Sequence, residues 1–266
     1  MLVPIKKILL KAMKNKYAVG AFNVNNMEQA QAVAWAAEEL NAPVIIQTTE
    51  SSINYAGWIL PQIIKIVAKN TRTPIAMHLD HGKNLDFIKK CLGYGYASVS
   101  FDGSSLPFKK NIDLTKKVVS IAHKKNIAVE AMLGDIDNNK LTDPRQAEEF
   151  VKKTDIDFLS VSIGNKHGLY REKVNLHYDL LKQIRRLTDI PLVLHGGSDT
   201  PEHDIKKCIL SGISKINIDT DLRIGFTDKI REILKDEKII DPRAYLSQAR
   251  DEFKKITKEK IRLFSC

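Results

Sequence analysis

Eight short aliphatic runs, each separated from the next by a segment of helical length, predict an α/β chain folded as a (β/α)8 barrel. The runs recur at spacings of roughly 20 to 35 residues, which suits strand–helix units. The alternative is an open, doubly wound sheet. Such a sheet more often carries a Gly-rich phosphate turn after its first strand, and "AFNVNN" stands there instead.

The predicted strands are, in order, "YAVGAFNV" (17–24), "APVIIQTT" (42–49), "PIAMHLD" (74–80), "YASVSFD" (96–102), "IAVEAMLG" (127–134), "DFLSVSIG" (157–164), "PLVLHGG" (191–197) and "KINIDT" (215–220). Between them "NMEQAQAVAWAAEELN", "LPQIIKIVAKN", "LDFIKKCLGYG", "NIDLTKKVVSIAHKKN", "PRQAEEFVKKT", "NLHYDLLKQIRRLT" and "PEHDIKKCILSG" have apolar residues at helical intervals. Asp143-Pro144 and Thr200-Pro201 each place a capping oxygen before a proline suited to the first helical position. The opening "MLVPIKKILLKAMKNKY" is amphipathic, broken by lysines and without a small-residue cleavage site, so it reads as an N-terminal helix of the fold and not as a signal peptide. Residues 222–266 form a C-terminal helical extension with a break near Asp241-Pro242. No linker or composition shift divides the chain, so 1–266 is expected to be a single barrel domain.

Bulk properties narrow the classes of function. The chain's 266 residues, 43% hydrophobic and 28% charged, suffice for a full globular core. Its apolar stretches are too short to span a bilayer. Cys91, Cys208 and Cys266 are odd in number, widely spaced and without a CxxC pair, which fits core thiols in a reducing, cytoplasmic setting. The net charge is +10, but most lysines fall on the polar sides of helices and no aromatic-plus-basic cluster accompanies them. A nucleic-acid partner is therefore not expected. An anionic small substrate suits the positive field.

Active sites of this fold lie at the C-terminal ends of the strands, and that is where the polar residues concentrate. "AMHLDHGKN" places His78, Asp80 and His81 at the end of the third run, "SIGNKHGLY" places His167 past the sixth, "LVLHGGSD" places His195 at the tip of the seventh, and "INIDTD" ends the eighth. His81, His167 and His195 come from three strand ends, and each is followed by glycine. Three imidazoles from separate strands match a catalytic zinc site with open coordination positions. His78 shares a pleat face with Asp80 one layer deeper, which suits a supporting partner better than a ligand.

"HLDHG", "SIGNKHGLY", "LVLHGGS" and "KINIDTD", in that order, resemble the motif series of class II, metal-dependent ketose-bisphosphate aldolases. "AVGAFNVNN" and "VIIQTTESSINYAG" are similar to the same family. The resemblance spans about residues 1–235 and implies a TIM barrel with one catalytic Zn²⁺ per chain. It implies that His81, His167 and His195 hold the metal and that Asp80 exchanges the proton of the substrate C4 hydroxyl. It further implies a phosphate cradle of Gly168, Gly196, Gly197, Ser198 and the segment Asn217, Ile218, Asp219 and Thr220, with Thr49 keeping a hydroxyl where the family often has a substrate-contacting serine. For "HGGSD" a plain strand–helix turn, for Asp219 a helix cap, and for Arg223 either the second phosphate or a solvated helix position remain open as readings.

The chain departs from the family pattern after the fifth strand. There Met132 stands where the family has a glutamate that, with the counterpart of Asp102, often forms a second cation site. A thioether binds hard cations poorly, so no second site is expected and Asp102 can equally cap the next helix. The following loop is shortened and lacks the family's glutamate, leaving Asp135 or Asp137 as substitutes for moving the proton at C3.

The expected activity is zinc-dependent, reversible aldol cleavage of a ketose 1,6-bisphosphate, fructose in preference to tagatose, a lyase step of glycolysis. A weakly active or non-catalytic metal- and phosphate-binding partner subunit is the alternative. A homodimer or homotetramer is expected, and the periodic tail from Asp241 suits a dimer arm.

Overall fold

The computed structural model describes residues 1–168 and 175–265; Leu169, Tyr170 and Cys266, named above, lie outside them. Among the described residues eight strands, β1 (Val19–Asn23), β2 (Val44–Thr48), β3 (Ile75–Gly82), β4 (Ser98–Phe101), β5 (Ala128–Leu133), β6 (Phe158–Val161), β7 (Leu192–Leu194) and β8 (Ile213–Ile218), pair in parallel and in chain order. Pairing of β1 with β8 closes the cylinder. Eleven helices accompany them: α1 (Ile5–Asn15), α2 (Met27–Glu39), α3 (Glu50–Ala56), α4 (Ile59–Lys69), α5 (Leu85–Cys91), α6 (Phe108–His123), α7 (Pro144–Thr154), α8 (Tyr178–Leu187), α9 (Glu202–Leu210), α10 (Thr220–Ile233) and α11 (Pro242–Phe264). The chain is a (β/α)8 barrel.

Alternation along each strand sorts the core into two compartments. Phe22, Ile46, Leu79, Val99, Val129 and Leu159 face outward and pack beneath the helices. Their neighbours Val19, Ala21, Ile45, Ala76, Ala128, Phe158 and Val193 face the lumen, where Ile5, Ile8, Leu9 and Ala12 of α1 close the lower end. The lysines that interrupt the N-terminal run lie on the solvent side of α1, and Lys6 reaches Asp157 at 2.8 Å.

Three local expectations change. The Asp143 side chain caps α7 as anticipated, accepting from the Gln146 N–H. Thr200 does not cap α9, which begins at Glu202; its hydroxyl donates to the Gly196 carbonyl instead. Strand β8 starts two residues earlier than the sequence suggests and ends at Ile218, so Asp219 and Thr220 lie past it. The tail does break at Asp241-Pro242, yet α11 is not a projecting arm. It lies on its own barrel against α2 and α10, burying Phe253, Ile261 and Phe264, while Lys254 and Lys258 share Glu39 and Arg250 stacks on Trp35. Apolar periodicity reports that a helix face is buried; it does not report against which chain. Cys91 and Cys208 are buried free thiols. Among the described residues no helix is long and apolar enough to cross a membrane.

Candidate active site

Strand β3 ends in a conformation that regular geometry forbids. Adjacent strand residues point to opposite faces, yet Asp80 and His81 both line the cleft at the barrel mouth. His81 has φ of 52°, in the left-handed region, and the β3–β4 register shifts between Leu79 and Gly82. The left-handed residue costs about 1–3 kcal/mol and swings the His81 ring back over the mouth beside the Asp80 carboxylate. The polar cluster that ends this apolar run is thus held at one place by local backbone strain.

His195 follows β7 directly, and His167 lies on the loop after β6. One ring nitrogen from each of His81, His167 and His195 lies within 4.8 Å of the other two. Each ring has its other nitrogen on a different carboxylate: His81 Nδ1 is 3.0 Å from Asp102 Oδ2, His167 Nδ1 is 2.7 Å from Asp137 Oδ1, and His195 Nε2 is 3.0 Å from Glu130 Oε1. A carboxylate accepts, so the proton belongs on those nitrogens, and His81 Nε2, His167 Nε2 and His195 Nδ1 are left as lone pairs facing one another. Facing lone pairs repel unless a proton or cation lies between them. His195 Nδ1 and His81 Nε2 are 3.0 Å apart. Burial alone lowers the His81 pKa, but Asp80 and then Asp102 reverse this and raise it to about 9, while burial and then the His81 charge hold His195 well below its usual range. Three neutral imidazoles, each backed by a carboxylate, fit a divalent transition metal such as zinc.

Asp80 is fixed by amides from three other strands. Asn23 Nδ2 donates to Oδ2 at 3.0 Å and Gln47 Nε2 to the same oxygen at 3.3 Å, while Asn217 Nδ2 donates to Oδ1 at 3.1 Å. Burial pushes the Asp80 carboxyl up; His81, His195, Lys215 and the Asn23 amide outweigh it and bring the pKa below the usual value. Beneath the histidines Glu130 is fully buried, 2.8 Å from the equally buried Lys215 Nζ. His78 lies 3.5 Å from Glu130 through Nε2 and 2.6 Å from Ser98 Oγ through Nδ1, and burial keeps its ring neutral. It supports the layer above and is not among the converging rings.

A single cleft of about 480 Å³ takes in Asp80, His81, Asp102, Asp137, His167, Gly168, His195, Gly196, Ser198, Asn217, Asp219, Thr220 and Arg223. Gly196 has φ of 66°, and a Cβ there would fall 1.9 Å from the Lys166 carbonyl, so glycine is obligatory. Four anticipated residues are not among those lining this cleft, and their local contacts are these. The Thr49 hydroxyl caps α3 in a reciprocal box with Ser52. Gly197 gives its N–H to the Asn217 carbonyl, Ile218 packs in the outer core, and Asp135 turns its carboxylate onto Asn138. Asp102 caps no helix, since α6 starts at Phe108 behind Pro107; it binds His81 and Ser104. Asp219 occupies the N-cap position of α10 but its side chain makes no cap bond, lying 3.4 Å from Arg223.

Asn23, Gln47, Glu130 and Lys215 are absent from the motif reading. Their signal was parity: each sits on the lumen-facing register of an apolar strand, and Glu130 and Lys215 are lone opposite charges inside such strands.

A closed (β/α)8 barrel with three converging histidines and a pinned carboxylate at its C-terminal mouth defines a class: a barrel whose donor set could hold a metal ion beside a buried carboxylate. A family model described as "Fructose-bisphosphate aldolase class-II" matches residues 3–266. The chain is 40% identical to the fructose-bisphosphate aldolase of Thermus caldophilus, with 99% of this chain and 98% of the relative covered. It is 38% identical to that of Staphylococcus epidermidis, covering 99% and 97%. Among solved structures, the YdjI aldolase of Escherichia coli K12 superposes with a TM-score of 0.91 at 35% identity, covering 99% and 97%. The chain belongs to the class-II fructose-bisphosphate aldolase family and is a lyase.

Proposed function

We propose that the chain catalyses zinc-dependent, reversible cleavage of fructose 1,6-bisphosphate to dihydroxyacetone phosphate and glyceraldehyde 3-phosphate. The observation that carries this reading is the convergence of His81, His167 and His195 next to Asp80 in one cleft. When bound, zinc supplies a Lewis acid for the substrate carbonyl and the charge that develops beside it. Asp80, ionised and held by Asn23, Gln47 and Asn217, takes the proton of the C4 hydroxyl as the C3–C4 bond breaks. The C4 oxygen then becomes the aldehyde carbonyl, and the bonding pair stays with the dihydroxyacetone phosphate half as an enediolate, whose former C3 takes a proton from solvent to complete the product. In the reverse direction Asp80 returns that proton. Three donated hydrogen bonds fix the carboxylate's position but also lower its basicity, so its reach to the hydroxyl matters more than its pKa.

For the phosphate, Gly168, Gly196, Ser198 and the start of α10 at Thr220 line the cleft, and Lys83 and Arg223 are cations in the same lining. Backbone at a helix start and small residues suit a dianion. Fructose is preferred to tagatose on the names of the relatives.

One observation favours a second reading, a metal- and phosphate-binding homologue with slow turnover: the loop carboxylate Asp137 is already engaged by His167. Metal analysis followed by a coupled assay with each ketose bisphosphate, with and without chelator, separates the two. About one zinc per chain and chelator-sensitive triose phosphate release are expected; zinc without turnover selects the second reading. Asp80→Ala is expected to lower turnover by about 10²–10⁴-fold while zinc content stays unchanged.

A further inference from the structure

We propose that Asp137 is a positioning residue for His167: the loop joining β5 to α7 braces a metal ligand and does not lend a mobile base. This rests on the zinc reading above and assigns the loop's own part in it.

The loop is tied down on both sides of its tip. Asp135 and Lys140 exchange two backbone hydrogen bonds of 2.8 Å, and the Asp135 carboxylate accepts from the Asn138 N–H and side-chain amide. Thr142 N–H donates to the Ser162 carbonyl, the Thr142 hydroxyl donates to the Leu133 carbonyl, and Ser162 N–H donates back to Thr142 Oγ1. Gly134, at φ of 87°, has no room for a Cβ, which would lie 2.7 Å from Thr142 Oγ1. These bonds anchor the loop on both sides of its tip. It presents Asp137 at a fixed place, 2.7 Å from His167 Nδ1.

His167 is the ligand that needs this brace. His81 belongs to β3 and His195 follows β7 directly, and their carboxylates, Asp102 and Glu130, are 8% and 0% exposed. His167 is on a loop, 35% exposed, and its carboxylate partner is 73% exposed. With Nδ1–H on Asp137, the ring is fixed in the tautomer that offers Nε2 to the metal. Outer carboxylates of this type are worth about 10–100-fold in metal affinity, and the exposure of this pair places it at the lower end.

Zinc affinity of the full chain, read by competition with a chromophoric chelator, tests this, together with the visible spectrum of the Co²⁺-substituted protein. Asp137→Ala is expected to weaken zinc binding about tenfold and to shift the cobalt bands. Asp137→Asn keeps an acceptor oxygen but cannot take a proton; it is expected to recover most of the lost affinity and to turn over faster than Asp137→Ala. Glu149→Gln, an exposed change on α7, controls for surface charge. Asp137→Ala that binds zinc like the unaltered chain overturns the proposal, and if turnover is lost at the same time Asp137 is the base. If His167→Ala retains zinc as tightly as the unaltered chain, the triad reading itself has failed.

Discussion

The lumen of this barrel is two environments stacked on one another. Its lower half holds Ala21, Ile45, Ala76, Phe158 and Val193, sealed by the apolar face of α1. Its upper half holds Asn23, Gln47, His78, Glu130, Lys215 and Asn217, all buried, beneath the cleft. Both halves use the same strands and the same register. In the lower half any well-packed apolar set of similar volume serves. In the upper half each residue has at least one partner in charge or hydrogen bond, because a buried polar group without one costs more than it contributes. The lower half is held by packing alone, and the upper half uses buried polar pairs to place the His195 ring and the Asp80 carboxylate.

This contrast can be broken by substitution. The largest effect on stability is expected from Lys215→Met, which leaves the Glu130 carboxylate buried without its cation: a loss of about 3–5 kcal/mol in chemical denaturation, with weaker zinc binding because Glu130 no longer holds His195 squarely. Leu9→Ala, at the plug, is expected to cost about 2–5 kcal/mol with zinc affinity unchanged. Equal effects of both on zinc would erase the distinction between the halves.

At the foot of the barrel the tether of α1 titrates. Burial raises the Asp157 carboxyl, but Lys6, the Val129 N–H and His123 outweigh it and hold its pKa below the usual range. A carboxyl depressed on folding stabilises above its unfolded pKa, near about 4, and that contribution is lost as pH falls through the folded value. Asp157→Asn is therefore expected to cost about 1–3 kcal/mol at neutral pH, with the gap to the unaltered chain closing below about pH 4. The smallest effect is expected outside the lumen: Lys254→Ala, which leaves Lys258 on Glu39, should change the melting free energy by less than about 1 kcal/mol.

The strand–helix alternation was legible because burial on both faces of a parallel strand, and on one face of a helix, leaves a periodic trace. The histidines were legible because imidazole, carboxylate and glycine are poor endings for a buried run. Glu130 and Lys215 were harder to read, since a lone charge in a strand has no visible partner until the cylinder closes and brings β5 and β8 to either side of one lumen. Thr49 shows a role the motif reading did not mention: its hydroxyl satisfies the backbone of α3 locally.

By itself the sequence determined the order of strands and helices, the presence of an amphipathic helix ahead of the first strand, and which residue types would crowd the mouth. Only the tertiary structure decided which nitrogen of each ring faces its neighbours, which carboxylate stands behind it, and that α11 returns to its own barrel. The physical reason is that the first set follows from local periodicity and burial. The second depends on angles and distances between groups far apart in the chain, and these exist only once the barrel has closed.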